Sequence, residues 1–125
     1  MNSENVVLDK SMGFSVRIVR LYQHLCSERK EYTLSKQLLR CGTSIGANIN
    51  EAQYAVSRND FLNKMYISLK ECAETLYWIE LLHRTDYLSD SQYASIVGDC
   101  KELHSLLSSI TKSTREGLEK QKEIP

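Results

Sequence analysis

Two stretches of this chain repeat apolar residues at alternating steps of three and four. The first is Leu62, Met65, Leu69, Cys72, Leu76, Ile79 and His83; the second is Tyr93, Ile96, Cys100, Leu103, Leu107, Ile110 and Thr114. That rhythm lays one greasy seam along a helix and belongs to nearly parallel or antiparallel helices packed knobs-into-holes. The only proline is Pro125, at the very end, so nothing in the interior forbids long helices. Two further segments carry helical spacing. Phe14, Ile18, Leu21 and Leu25 predict a helix from about Met12 to about Arg29, and Leu34, Leu38, Cys41, Ile45, Ile49, Ala52 and Val56 predict one from Thr33, as N-cap, to about Ala55.

Start signals separate the helices. Ser57 and Asp60 form an acidic capping box, and Ser89-Asp-Ser-Gln92 forms one of the Ser-x-x-Gln kind. Short connections make consecutive helices antiparallel. The reading is an all-α protein, an antiparallel up-down-up-down four-helix bundle. At 125 residues it is a single domain able to bury a core without staples, with frayed ends over about 1–10 and 118–125.

The second helix interrupts its apolar stripe with Gly42 and Gly46. A glycine inside a helix costs roughly 1 kcal/mol relative to alanine, so both need a reason. They flank the stripe, where a missing side chain lets another helix come close. Gly42-x-x-x-Gly46 lacks the lysine and the strand-to-helix setting of a phosphate loop.

Around those glycines runs Ser44-Ile-Gly-Ala-Asn48-Ile-Asn-Glu51-Ala, followed by Ser57-Arg-Asn-Asp60-Phe61 and by Leu69-Lys-Glu71-Cys-Ala-Glu74-Thr-Leu-Tyr-Trp78-Ile-Glu80-Leu-Leu82. With Cys26-Ser-Glu-Arg29 through Leu34-Ser-Lys-Gln-Leu-Leu-Arg40, these resemble the four-helix-bundle proteins encoded within bacterial 23S rRNA intervening sequences, the S23 ribosomal protein-like family. The resemblance spans all but about the first and last dozen residues. It implies the bundle fold and a homopentameric ring, and it implies no particular activity. Relatives in diversity-generating retroelements are strongly basic and bind nucleic acid beside a reverse transcriptase; this chain departs from them, because its net charge is zero.

Apolar residues also occur off the main seams. Projection at about 100° per residue sends Ile67, Trp78 and Leu82 of the third helix, and Val16 and Val19 of the first, to outer faces. A helix apolar on two sides is either deeply buried or touches another molecule. Tryptophan is a preferred interface anchor, so these five residues are read as a subunit interface. The plainer alternative lays Trp78 flat over a loop of its own chain.

Charge is unevenly spread. From Lys10 to Arg40 seven basic residues face two acidic ones, whereas from Glu71 to Asp90 five acidic residues face Arg84 alone. A molecule basic on one side and acidic on another can stack head to tail with its copies, and such a contact closes into a ring when its rotation permits. Arg17, Arg20, Arg29, Lys30, Lys36 and Arg40 equally form a candidate cationic footprint for RNA or DNA, because phosphate contacts dominate nucleic-acid affinity. The alternative for these six is a solvated surface or subunit ion pairs.

Chemistry finds little purchase. Glu80-Leu-Leu-His83 has the Glu-x-x-His spacing of di-iron bundles, but no second copy exists and Glu102-Leu-His104 is spaced wrongly. Cys26, Cys41, Cys72 and Cys100 form no Cys-x-x-Cys pair and are read as reduced core thiols, the alternative being a disulfide or a metal site. Ser44, Asn48 and Glu51 line one helix edge suited to interhelical hydrogen bonds or, less simply, a ligand. No catalytic residue, metal or cofactor is expected. No apolar run approaches the roughly 20 residues needed to cross a bilayer, and the N-terminus lacks signal-peptide regions. A cytoplasmic, non-enzymatic protein that assembles with itself is the expectation.

Overall fold

The computed structural model describes residues 3–123, and of residues 3–5 only the backbone. Four helices follow one another: α1 Ser3–Ser27, α2 Leu34–Ala52, α3 Arg58–Arg84 and α4 Asp90–Glu123. Among the described residues α1 packs on α2, α2 on α3, α3 on α4 and α4 on α1, while diagonal pairs stay apart. Bonds between neighbours fix the directions. Ser68 Oγ–H donates to Ile45 O at 2.8 Å, and Lys64 lies 3.6 Å from Glu51, so α3 climbs as α2 descends. Arg17 meets Asp99 and Lys10 meets Glu102, which sets α1 antiparallel to α4. The all-α, up-down-up-down bundle holds.

The glycines of α2 sit where α1 comes closest. A Cβ built on Gly42 would lie 2.9 Å from Cγ2 of Ile18, and one on Gly46 would lie 3.1 Å from Oγ of Ser15. Ile18 is fully buried, and its β-branched side chain has little rotameric freedom to retreat.

Helix boundaries depart from the periodicity at several points. α1 starts nine residues before Met12, and Val7 is fully buried, so the frayed segment expected up to residue 10 is mostly ordered helix. α2 ends at Ala52, its exit tightened by Gln53 N–H to Asn50 O and Tyr54 N–H to Glu51 O. Val56, counted as the end of its stripe, is 92% exposed. α4 continues through Gly117 to Glu123, largely exposed beyond Thr114. The expected fraying of residues 1–2 and 124–125 falls outside the described residues.

The α3 seam is also displaced. Its buried residues are Phe61, Met65, Ser68, Cys72, Thr75, Ile79 and Leu82, while Leu62, Leu69, Leu76 and His83 are only half-buried. Apolarity alone chose the leucines. The hydroxyls of Ser68 and Thr75 enter the core because each finds a carbonyl: Ile45 O, and Glu71 O at 2.8 Å. Leu82, expected on the outer face, therefore belongs to the core and is fully buried.

Gly42→Ala sets an overpacking cost of about 1–3 kcal/mol against a helix-propensity gain of about 1 kcal/mol. A net loss of about 1 kcal/mol is expected by urea denaturation. Gly98→Ala, whose Cβ would meet nothing within 4 Å, should instead gain about 1 kcal/mol.

Candidate functional site

The six cationic residues Arg17, Arg20, Arg29, Lys30, Lys36 and Arg40, on α1, α2 and the connection between them, are the first candidate, and half of them are engaged within the chain. Arg17 binds the Asp99 carboxylate and donates to Ser95 Oγ at 2.8 Å and Ser95 O at 3.3 Å. Arg40 donates to Glu74 and, at 3.5 Å, to Glu71. Arg29 reaches the α3–α4 turn, donating to Tyr87 O at 2.9 Å and Asp86 O at 3.0 Å with its guanidinium over the Tyr87 ring. Arg20, Lys30 and Lys36 are exposed and form no ion pair with another described residue. Of the two oppositely charged stretches, only Arg40 and the Glu71–Glu74 pair meet directly, across α2–α3; Lys10 and Arg17 pair instead with Glu102 and Asp99 across α1–α4.

That α3–α4 turn has a backbone reason to be clipped. Asp86 ends α3 at φ 69°, in the left-handed region, with Asp86 N–H to His83 O and Tyr87 N–H to Leu82 O. These are the two bonds of a Schellman motif, which favours glycine at the left-handed position. Beside it, His83 Nε2 lies 2.8 Å from Asp90 Oδ1, and its ring stacks on Tyr93 at 4.0 Å. The Tyr93 hydroxyl donates to Glu80 at 2.7 Å, and Arg84 Nε donates at 3.0 Å; in that order they hold the Glu80 carboxyl below the usual range. Glu80 and His83 are committed to this corner rather than aimed inward as a ligand pair. Among the described residues no group of three or more His, Cys, Asp or Glu side chains could hold a metal ion.

The remaining polar motif residues act locally. Ser44 Oγ–H donates to Arg40 O at 2.7 Å, and Asn48 Nδ2 donates to Ser44 O at 2.8 Å, so both turn back onto α2. Ser57 Oγ accepts from Asp60 N–H at 3.0 Å, while the Asp60 carboxylate takes the Val56 N–H at 3.1 Å. Glu74 also accepts the Trp78 indole N–H at 3.0 Å. Trp78 is half-buried against the core, edge-on to Tyr77.

A capping device at the start of α2 escaped the sequence reading. Thr33 makes no side-chain cap. Instead the Glu31 carboxylate, in a residue only 8% exposed, accepts N–H bonds from Thr33, Leu34 and Ser35 at 3.2, 2.9 and 2.7 Å. Burial alone would raise its pKa. The N–H groups of Leu34 and Ser35, the Ser35 side chain and the Thr33 N–H outweigh that and hold it below the ordinary carboxylate value.

The second candidate is apolar. Met12, Val16 and Val19 are 67%, 44% and 38% exposed along the outside of α1. Between α1 and α2 lies a groove of about 500 Å³, walled by Leu8, Met12, Thr43, Ala47 and Asn50, with Ser11, Ser15 and Gly46 also lining it. On α3, Ile67 is 36% exposed and Tyr77 61% exposed.

Residues 3–121 match the family model of the 23S rRNA-intervening sequence protein. The chain belongs to that family. It is also similar to a crystal structure of a protein with unknown function from the S23 ribosomal protein family of Bacteroides thetaiotaomicron, at 58% identity and a TM-score of 0.87, over 89% of this chain and 99% of that one. No curated protein matches. No described helix is long and apolar enough to cross a membrane.

Glu31 generates a pH dependence. Its folded-state pKa is depressed, so its contribution is fully present above the ordinary carboxylate value of 4.5 and is lost as pH falls through the lower folded-state value. Glu31→Gln should cost about 1–2 kcal/mol at neutral pH. Urea titrations at successive pH values should show the variant losing less stability than the parent below pH 4.5.

Proposed function

We propose that this family member is a non-enzymatic, self-assembling helical bundle, a cytoplasmic scaffold or adaptor whose subunits close into a ring, as a homopentamer. The observation that carries this reading is the outer face of α1, where Met12, Val16 and Val19 stay exposed beside a groove with a floor of small residues. Met12, Val16 and Val19 follow one another along one face of α1, and such a row of exposed aliphatic side chains marks where another protein surface fits. Val16, Val19, Ile67 and Trp78 are the contact residues of this proposal; Leu82, lying in the core, drops out.

Binding of RNA or DNA is the competing use of the same helices. Internal pairing of Arg17, Arg29 and Arg40 favours assembly over it, because each phosphate contact from these side chains would have to displace an existing partner. Arg20, Lys30 and Lys36 remain, and repetition around a ring would multiply so small a footprint.

Sedimentation velocity at micromolar concentration should give a multiple of the 14.4 kDa chain mass. Val16→Asp with Val19→Asp should weaken assembly by about 2 kcal/mol or more, roughly thirtyfold in Kd, with helical content nearly unchanged. A chain that stays monomeric at every concentration overturns the assembly reading. Salt-sensitive retention of structured rRNA fragments, lost in Arg20→Glu/Lys36→Glu, would put nucleic-acid binding in its place.

A further inference from the structure

Four cysteines are spread over the four helices, and two of them meet. Cys72 of α3 and Cys100 of α4 lie at the same level of the bundle with their Sγ atoms 3.8 Å apart. Each thiol also faces the other residue's carbonyl: Cys72 Sγ to Cys100 O at 3.4 Å, and Cys100 Sγ to Cys72 O at 3.7 Å. Both are fully buried. Among the described residues no other pair of sulfurs is in contact. Cys41 is buried with its thiol turned to Leu38 O, and Cys26, half-buried on α1, lies 3.9 Å from Ser35 Oγ.

We infer that Cys72 and Cys100 are a latent crosslink, closed by a small-molecule disulfide only when the α3–α4 seam opens, so that oxidation locks the two helices together. A disulfide bond is about 2.05 Å long, so the sulfurs must approach by less than 2 Å from their present contact. No helix has to change register.

The chemistry balances with oxidised glutathione as the co-reactant. One cysteine loses its proton, and its thiolate attacks a glutathione sulfur. The glutathione S–S bond breaks, expelling one glutathione thiolate and leaving a mixed disulfide. The second cysteine, once deprotonated, attacks the protein-side sulfur of that mixed disulfide and expels the second glutathione. Two protein thiols are oxidised, one small disulfide is reduced, and the two protons are taken up by the released thiolates.

Burial governs when this happens. The attacking species is the thiolate. The Cys100 thiol is held well above the ordinary thiol range, first by its contact with Cys72 and then by burial. No glutathione molecule reaches either sulfur in the closed bundle. The first step therefore waits for the seam to part. The second is intramolecular and outruns attack by a glutathione thiolate from solution, because reclosure brings the partner sulfur back into contact. Cys26 and Cys41 lack such a partner and stop at the mixed disulfide.

The test uses the full-length reduced protein incubated with excess oxidised glutathione over urea concentrations below the unfolding midpoint. After alkylation of the remaining thiols, trypsin places Cys72 in the peptide 71–84 and Cys100 in the peptide 85–101, one cysteine in each. The expected product is these two peptides joined, forming about tenfold faster or more near the midpoint than without urea. Cys100→Ala should accumulate a persistent mixed disulfide at Cys72 instead. The oxidised protein should show a raised urea midpoint that dithiothreitol reverses. A lasting glutathione adduct on Cys72 or Cys100 in the parent, linkage through Cys26 or Cys41, or a rate independent of urea would overturn the inference. Cys26→Ser, which removes the more accessible thiol, should leave the joined peptides unchanged.

Discussion

The close approach of α1 to α2 depends on the missing side chain of Gly42, where an added Cβ would lie 2.9 Å from Ile18 Cγ2. Every other helix is placed relative to that pair. α3 packs on α2 and α4 closes back on α1, so a wider α1–α2 spacing would open both remaining seams. Interiors are packed as densely as organic crystals, and a shift of one methyl group propagates through them. The glycine gives up local helix stability to set this spacing. Gly46 repeats the arrangement one turn on, against the smaller Ser11 and Ser15.

The interior this creates is apolar but carries hydroxyls and thiols at the helix contacts. Ser35, Ser68, Thr75, Thr111 and Thr114 are buried, each donating to a backbone carbonyl. Among the described residues no buried side-chain nitrogen or oxygen lacks a partner. Unpaired, each such group would cost about 1–3 kcal/mol. The Ser68 bond to Ile45 O differs from the rest because it crosses between helices and so specifies how α2 and α3 register.

The fold was legible in the sequence because seam spacing, capping boxes and missing prolines all pointed one way. α4 read nearly residue for residue, since large apolar side chains occupy most of its seam. α3 read half correctly. Met65, Cys72 and Ile79 are shared by both possible frames, and small hydroxyl residues decide between them only through carbonyl partners on the folded backbone. Leu82 was misplaced for the same reason. Glu31 was invisible because its role depends on the path of the α1–α2 connection, although a lone glutamate three residues before a helix start is a signal worth weighing. The basic patch looked continuous along the chain; its pairing with Glu71, Glu74 and Asp99 needed the third dimension. The exposure of Val16, Val19 and Ile67 was readable from angular projection alone.

The ion pairs also bear on how the molecule comes together. Lys10–Glu102, Arg17–Asp99, Arg40–Glu74 and Lys64–Glu51 all join the α1–α2 hairpin to the α3–α4 hairpin. Such exposed pairs are each worth only about 0–1 kcal/mol, so they add little to the finished bundle. Their sum matters earlier: residues 1–57 carry a formal charge of +2 and residues 58–125 carry −2. Two half-molecules of opposite sign attract across solvent before any side chain interlocks. Severed in the connection at 53–57, they would still seek each other in trans, and salt would slow that reunion.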